Sequence, residues 1–316
     1  MSTSPLLSLP RAVAAEAPDA GVAAHYGDPL REQRRLEAGE GFVDLSHHDV
    51  VRVSGPDRLS WLHSLSTQHL TNLEPHEATT TLVLSPKGHI EHALYGVDDG
   101  EAFWAHVESG EGAALVAFLD KMRFMLRVEV ADVGADYAIV YEARDLGDTP
   151  EDVLVRRMPY GRELFLPRER LAEYGRTHAD PAGMWAYEAL RVAARRPRVG
   201  QETDHRTIVH ELGLIDSAVH LDKGCYRGQE TVARVHNLGK PPRRLVFLHL
   251  DGTPEALPEH GAPVELDGRQ VGFVTSAARH HELGPIALAL VKRNTAVDAE
   301  LQAGGVAATQ EVVVPA

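Results

Sequence analysis

The sequence predicts an α+β protein that ends in a small β-barrel domain. In the first half of the chain, β-rich stretches follow one another and are interrupted by single amphipathic helices, unlike the regular alternation of a doubly wound parallel sheet. After Pro241-Pro242 the chain changes to short β-rich stretches separated by turns. We therefore predict a loose N-terminal tail at residues 1–24, an α+β region at residues 25–240 and a barrel domain at residues 241–316.

The composition is that of an ordinary globular protein. The chain has 316 residues, of which 43% are hydrophobic and 25% charged, so it can bury a sizeable core. Its formal net charge of -14 argues against nucleic acid as a partner. The N-terminus does not resemble a signal peptide, and no run of about 18 apolar residues occurs. We expect a cytoplasmic protein that does not interact with membranes.

The elements of the first half follow from local patterns. Val50–Val53 is β-branched and predicts a strand, and Ser54-Gly55-Pro56-Asp57 is typical of a helix start. Ser85-Pro86-Lys87-Gly88 has the chemistry of a turn, which predicts a hairpin between strands at residues 79–84 and 90–97. Further strands are predicted at residues 103–107, 126–130 and 137–141, and a helix at residues 111–124.

A third helix, predicted at residues 183–194, carries a stripe of chemical interest. Trp185, Glu188 and Arg191 recur every three residues and share one face. A carboxylate beside an aromatic ring can bind a heteroaromatic ring that bears an amino group and a ring N–H. The same spacing is also typical of an exposed Glu–Arg pair with no function. The pattern alone leaves both interpretations open.

The C-terminal segment shows only structural signals. Four short strands are predicted at residues 244–250, 262–266, 270–275 and 285–292, with Asp267-Gly268 as a hairpin turn.

Basic residues cluster at residues 191–198 and 240–244, which fits either a small anionic ligand or ordinary solvated side chains. The 18 histidines include no pair with helical zinc-site spacing, so we predict no metal site.

The only cysteine, Cys225, lies in the string Lys-Gly-Cys-Tyr-Arg-Gly-Gln-Glu at residues 223–230. One cysteine cannot form an internal disulfide, and it cannot hold a zinc ion or an iron–sulfur cluster alone. Lys223 and Arg227 flank it, and nearby positive charge favours a reactive thiolate. The alternative is a partly buried, inert cysteine in a glycine-rich turn.

This string, continued by Thr231-Val232-Ala233-Arg234, resembles the signature of the YgfZ-type folate-binding proteins. These are relatives of the glycine-cleavage T-protein, an aminomethyltransferase, and they support iron–sulfur proteins. Residues 42–73, 86–90, 187–191, 197–200, 272–276 and 286–289 also resemble segments of that superfamily. The resemblance covers roughly 270 residues and implies three modules around a central pocket for tetrahydrofolate or a one-carbon derivative of it. Residues 25–240 form two of these modules, and the barrel forms the third.

The resemblance also implies roles for individual residues. Glu188 is the candidate that binds the pterin, and Arg191 and Arg234 are candidates for the anionic end of folate or for organising the pocket. Tyr226 and Gln229 complete the candidates for cofactor binding. Cys225 is the candidate nucleophile, redox group or transient ligand, assisted by Lys223 and Arg227.

One departure from the family bears on the activity. Where aminomethyltransferases carry a pair of aspartates after the glycine turn, this chain has His92 and Ala93, and Glu91 is one residue away. A shift of one residue on a strand reverses the direction of the side chain. The sequence therefore favours a folate-binding accessory protein for the assembly or repair of iron–sulfur enzymes. The alternative is a folate-dependent aminomethyl or methyl transferase in which Glu91 or His92 replaces the aspartate, and a third possibility is an interaction module without ligand.

Overall fold

A computed structural model describes residues 3–147, 149, 152–252 and 256–315. Its α-helices are α1 (Pro29–Ala38), α2 (Arg58–Leu65), α3 (Gly112–Met122), α4 (Leu171–Thr177), α5 (Met184–Ala193), α6 (Ile215–Ala218) and α7 (Gln229–Leu238). Its strands are β1 (Val13–Ala14), β2 (Ala23–His25), β3 (Gly41–Asp44), β4 (Asp49–Ser54), β5 (Ala78–Leu84), β6 (Ile90–Asp98), β7 (Ala102–Val107), β8 (Glu129–Asp132), β9 (Tyr137–Glu142), β10 (Leu154–Met158), β11 (Gly161–Pro167), β12 (Asp180–Ala182), β13 (Arg243–Leu250), β14 (Pro263–Leu266), β15 (Arg269–His280), β16 (Gly284–Lys292), β17 (Leu301–Ala303) and β18 (Val306–Val312).

The chain divides into two compact units. The first unit consists of residues 1–82 and 92–187, and the second of residues 83–91 and 188–316. Residues 188–240 thus pack with the C-terminal barrel and with the turn between β5 and β6. The predicted domain boundary at residue 240 does not coincide with the boundary between these units.

The first unit contains most of two five-stranded sheets. Their strand orders are β5-β6-β7-β4-β8 and β10-β11-β9-β3-β12, and in the second sheet only the pairing of β12 with β3 is parallel. The presence of helices together with mainly antiparallel sheets confirms the predicted α+β class. A core cluster that includes Phe42, Val140 and Leu164 lies against the second sheet.

Local sequence signals explain the helix ends in this unit. The α1 helix begins at Pro29 after Asp28, whose side chain accepts a hydrogen bond from the Arg31 N–H. Gly39, the residue after its end, lies in the left-handed region with φ 73°. The α2 helix begins at Arg58, as the Ser-Gly-Pro-Asp pattern predicts. The carboxylate of Asp57 does not cap this helix and instead accepts hydrogen bonds from Arg127.

The N-terminal segment is ordered in the structure from residue 3, contrary to the loose tail that its composition predicts. Leu6, in a short 3₁₀ helix at Pro5–Ser8, is buried in the core cluster of the first unit, and β1 pairs with β2. The buried Ser4 hydroxyl donates a hydrogen bond to Asp44. A few buried apolar and polar contacts therefore hold in place a segment whose overall composition is typical of a loop. Residues 1 and 2 of the predicted tail lie outside the described residues.

The second unit contains a closed barrel with strand order β13-β16-β15-β14-β17-β18. Its interior is packed with aliphatic side chains, among them Val246, Leu248, Val274 and Val291. The four predicted strands correspond to β13, β14, β15 and β16. The barrel is closed by β17 and β18, which the sequence analysis did not predict because residues 301–312 contain few β-branched side chains in alternation.

No helix among the described residues is long and apolar enough to cross a membrane.

Candidate functional site

The cysteine motif forms a tight turn that leads into α7. Gly228 precedes the helix with φ 82°, a left-handed conformation that favours glycine. A Cβ atom built on Gly228 would lie 2.6 Å from the Ser85 carbonyl oxygen and 3.0 Å from the Gly88 Cα atom. Gly228 therefore allows a close approach of two backbone segments, whereas Gly224 faces open space.

The turn at residues 85–88 and the cysteine motif form one structure within the second unit. Gly88, with φ 79°, lies so close to Thr231 that a Cβ atom would approach the Thr231 Cβ to 2.6 Å. Arg227 donates hydrogen bonds of 2.6 and 3.3 Å to the two carboxylate oxygens of Glu91. Two segments that are more than 130 residues apart in sequence are thus joined by backbone packing and by an ion pair.

Cys225 is exposed at this turn, four residues before Gln229, where α7 begins. Its two flanking cations have different surroundings. Arg227 is paired with Glu91, so its charge is balanced locally. Lys223 is buried, its ammonium lies 5.0 Å from the centroid of the Tyr226 ring, and burial lowers its pKa to about 8.

Glu188 and Arg191 form the second part of the candidate site. Arg191 is buried, and its Nε and Nη2 atoms donate hydrogen bonds of 2.9 and 2.6 Å to the two carboxylate oxygens of Glu188. This bidentate geometry fixes the carboxylate plane. The Glu188 side chain remains 19% exposed, which leaves it within reach of a ligand.

Arg191 is itself held on every side. Its Nη1 atom donates to the Arg196 carbonyl oxygen at 2.7 Å and to Glu202 at 2.9 Å, and its Nη2 atom also donates to the Ser276 hydroxyl at 2.7 Å. Together with the two bonds to Glu188, these contacts use all five N–H donors of the guanidinium. The geometry thus fits the expected role in organising the site better than direct contact with an anionic ligand.

The sequence analysis did not single out Glu202, which connects α5 to the barrel. This fully buried carboxylate accepts hydrogen bonds from Arg191, from the Arg198 backbone N–H and from the hydroxyls of Thr275 and Ser276. Burial alone would lower the pKa of Arg191, but Glu188 and Glu202 outweigh this effect and raise it. The network therefore keeps Arg191 charged. The only sequence signal for Glu202 was that it is one of several acids in a loop.

The remaining candidates lie on or near α7. Tyr226 is buried, and burial raises the pKa of its hydroxyl to about 12. Gln229 is the first residue of α7, and Arg234 is exposed further along the helix.

The two basic clusters are largely neutralised by acids. Arg243 donates hydrogen bonds to Asp204 and Glu211, and Arg195 is paired with Glu311. Arg198 lies 3.4 Å from Glu188. Because acids balance their charges, these arginines do not form the open anionic-ligand patch that was one interpretation of the sequence.

Glu91 and His92, the proposed substitutes for the missing aspartate, have different partners. Glu91 is paired with Arg227 in the second unit. In the first unit, the His92 Nδ1 atom lies 3.3 Å from a carboxylate oxygen of Glu111. Adjacent residues on a strand point to opposite faces, so only one of the two can face a given ligand.

Comparisons with known proteins agree with this architecture. Residues 243–314 match the glycine cleavage T-protein C-terminal barrel domain. The chain is 29% identical over 307 residues to the aminomethyltransferase of Rubrobacter xylanophilus. That alignment covers 85% of this chain and 81% of the relative. It is 26% identical over 280 residues to a chloroplastic protein of Arabidopsis thaliana whose name assigns it to the transferases. That alignment covers 76% of this chain, which spans 62% of the relative's length.

A solved structure has the same fold as this chain. The glycine cleavage system aminomethyltransferase T of Bartonella henselae superimposes with a TM-score of 0.83 at 20% identity, covering 98% of this chain and 95% of that protein. The chain therefore has the fold of the glycine-cleavage T-protein, or aminomethyltransferase, superfamily and carries the C-terminal barrel domain of that superfamily.

Proposed function

We propose that this chain is a tetrahydrofolate-binding accessory protein that supports the assembly or repair of iron–sulfur enzymes, with Cys225 as its reactive group. The observation that carries the proposal is the fixed, partly exposed carboxylate of Glu188. Arg191 holds it in a bidentate pair, and Glu202 and Ser276 in turn hold Arg191. A carboxylate in a set orientation is the group expected to accept hydrogen bonds from the amino group and ring N–H of a pterin.

The surroundings of Glu188 favour a binding role over a merely structural one. An exposed Glu–Arg pair at this helical spacing contributes only a few tenths of a kcal/mol and needs no further support. Here the arginine is buried, and it uses its other donors on three additional groups. Such a supporting shell is typical of sites whose geometry must be maintained for a ligand.

Cys225 is the second component of the proposal. It is exposed, and the turn that carries it is held by Gly228 against the Ser85–Gly88 segment and by the Arg227–Glu91 pair. A thiol presented at a fixed turn can react with, or transiently ligate, a group brought by another protein. A single thiolate cannot hold a cluster alone, so any cluster contact requires ligands from the client.

A transferase is the second candidate function, and the comparisons favour it. The relatives at 26–29% identity include proteins named aminomethyltransferase. Against it stands the position of Glu91, because its carboxylate is already paired with Arg227 and is not available as a general base without breaking that pair. The transferase hypothesis would therefore have to rely on His92.

The test is replacement of Cys225 by Ser in cells that lack the protein. We expect the variant to fold and to bind tetrahydrofolate with unchanged affinity, because the exposed thiol supports neither the turn nor Glu188. The activity of iron–sulfur enzymes in these cells should be restored by the wild-type protein and not by the variant.

A matched control replaces an exposed serine elsewhere, Ser217, by Ala, and it should restore activity fully. Full restoration by Cys225→Ser would contradict the accessory role. One-carbon transfer from an amine donor to tetrahydrofolate at equal rates in the wild type and in Cys225→Ser would instead support the transferase.

A further inference from the structure

Arg244 points into one end of the C-terminal barrel. It lies on β13, two residues before Val246 and four before Leu248, both of which belong to the barrel core. Alternate residues of a strand share a face, so Arg244 faces the interior as well. Its exposed fraction is 0%, and it is one of the largest fully buried side chains of the protein.

The hydrogen bonds of Arg244 go to neutral oxygens. Its Nη2 atom donates to the Thr295 carbonyl oxygen and to the Gln310 Oε1 atom, both at 3.0 Å. The Gln310 amide is itself held, since its Nε2 atom donates to the carbonyl oxygens of Ala296 and Ala299. The guanidinium is thus fixed in position by groups that carry no charge.

Three buried donors remain at this end of the barrel. Among the described residues, nothing forms a hydrogen bond with the Nε and Nη1 atoms of Arg244 or with the hydroxyl of Thr295. Thr295 is also the residue whose carbonyl oxygen binds Arg244. Each of these groups can donate a hydrogen bond, and the two nitrogens can only donate, so their natural complement is an acceptor.

The charge of Arg244 also lacks a counter-charge. The buried arginines Arg156, Arg162 and Arg191 are each paired with a glutamate. Within the part of the chain that the structure describes, no carboxylate lies within 4.0 Å of the Arg244 nitrogens. Burial lowers the pKa of Arg244, but a guanidinium stays protonated in proteins. An uncompensated buried charge is costly, and a bound counter-ion removes that cost.

We propose that the closed barrel binds a small inorganic anion, such as a halide, against the Arg244 guanidinium beside Thr295. Nε and Nη1 lie on different edges of the planar group, so the ion contacts one of these edges. Binding stabilises the folded barrel by mass action, because the unfolded chain does not assemble this site. The site belongs to the barrel alone and does not depend on the proposed folate function.

The experiment measures thermal unfolding of the full chain at constant ionic strength while chloride or bromide replaces gluconate. For the wild type we expect the melting temperature to rise by about 2–4 °C for each tenfold increase of halide above its Kd. Arg244→Met should fold and should lose this dependence, since replacing a buried charge by an apolar side chain of similar volume is often tolerated. Thr295→Val keeps the charge and removes one donor, so its halide dependence should shift to higher concentration.

Arg269→Met is the matched control, because Arg269 is an exposed arginine of the same barrel and its loss should leave the halide response unchanged. Crystals soaked in bromide should show an anomalous peak within hydrogen-bonding distance of an Arg244 nitrogen. An identical halide response in the wild type, Arg244→Met and Arg269→Met would overturn the proposal, and so would ordinary water density without a bromide peak at Arg244. If Arg244→Met does not fold, Thr295→Val and the bromide peak decide.

Discussion

Lys223 is the residue of the cysteine motif whose charge state depends most on folding. Its side chain is buried, and burial lowers its pKa from 10.5 to about 8. Between about pH 8 and pH 10.5 the unfolded chain therefore binds more protons than the folded chain. Stability rises with pH wherever the unfolded state binds more protons, so this group contributes a stability that increases across that interval and is lost as the pH falls through it.

This linkage predicts a difference between the wild type and Lys223→Met. The free energy of unfolding of the wild type, relative to the variant, should increase by roughly 3 kcal/mol between pH 7.5 and pH 10.5. Urea unfolding at a series of pH values measures it. The exposed Lys121, replaced by Met, is the control and should give a curve parallel to the wild type. Parallel curves for Lys223→Met as well would show that folding does not change the proton affinity of this amine.

Only part of the candidate site could be predicted at the level of residues. The Glu188–Arg191 pair follows from its spacing of three residues on a helix, and the structure contains it. Glu202 and Ser276 could not be found this way, because they reach Arg191 from 11 and 85 residues away in sequence. Tertiary folding alone brings such groups together, and a single buried acid in a loop carries no local pattern.

Among the elements, the turn before α7 contains two glycines that differ in their surroundings. Gly228 has φ 82° and faces the Ser85 carbonyl oxygen, whereas Gly224 has open space around it. Gly239, at the C-terminal end of α7, has φ 64° and also faces open space. The three positions therefore separate the effect of backbone conformation from the effect of steric contact.

Replacing each glycine by Ala tests this assignment. We expect Gly224→Ala to change the free energy of unfolding by less than about 0.5 kcal/mol and Gly239→Ala to cost about 1 kcal/mol through its left-handed backbone. Gly228→Ala should cost about 3 kcal/mol, because strain and the clash with Ser85 add. Chemical denaturation measures all three. Equal effects at Gly228 and Gly224 would mean that the motif does not pack on the Ser85–Gly88 turn.

The elements themselves were predictable to different degrees. Strands with alternating β-branched residues, such as β4, and helices with start signals, such as α2, have clear patterns in the sequence. The β17 and β18 strands do not, because they are short or rich in alanine and are held by pairing with β13 and β14. The ordered N-terminal segment was missed for a similar reason, since its order depends on the burial of Leu6 and Ser4 in a distant core.

For the whole molecule, the net charge of -14 coexists with clustered arginines of which Arg191, Arg195 and Arg243 are paired with acids. Arg243 joins the loop at residues 204–211 to the barrel, and Arg195 joins the end of α5 to β18. A folate ligand would therefore be recognised by a fixed carboxylate and by local shape more than by a broad positive field. The superfamily fold was predictable because its motifs are spread over most of the chain. A folate-binding activity, in contrast, depends on the arrangement of a few groups near Glu188.

Calorimetric titration of tetrahydrofolate under reducing, oxygen-free conditions tests the central claim most directly. The wild type should bind with a Kd in the low micromolar range or below, about -8 kcal/mol. Glu188→Gln, which keeps the shape of the side chain but loses its charge, should bind at least about tenfold more weakly. Glu300→Gln, an exposed glutamate of the barrel, should bind like the wild type. Absence of binding to the wild type, or equal affinity in the wild type and Glu188→Gln, would contradict the account.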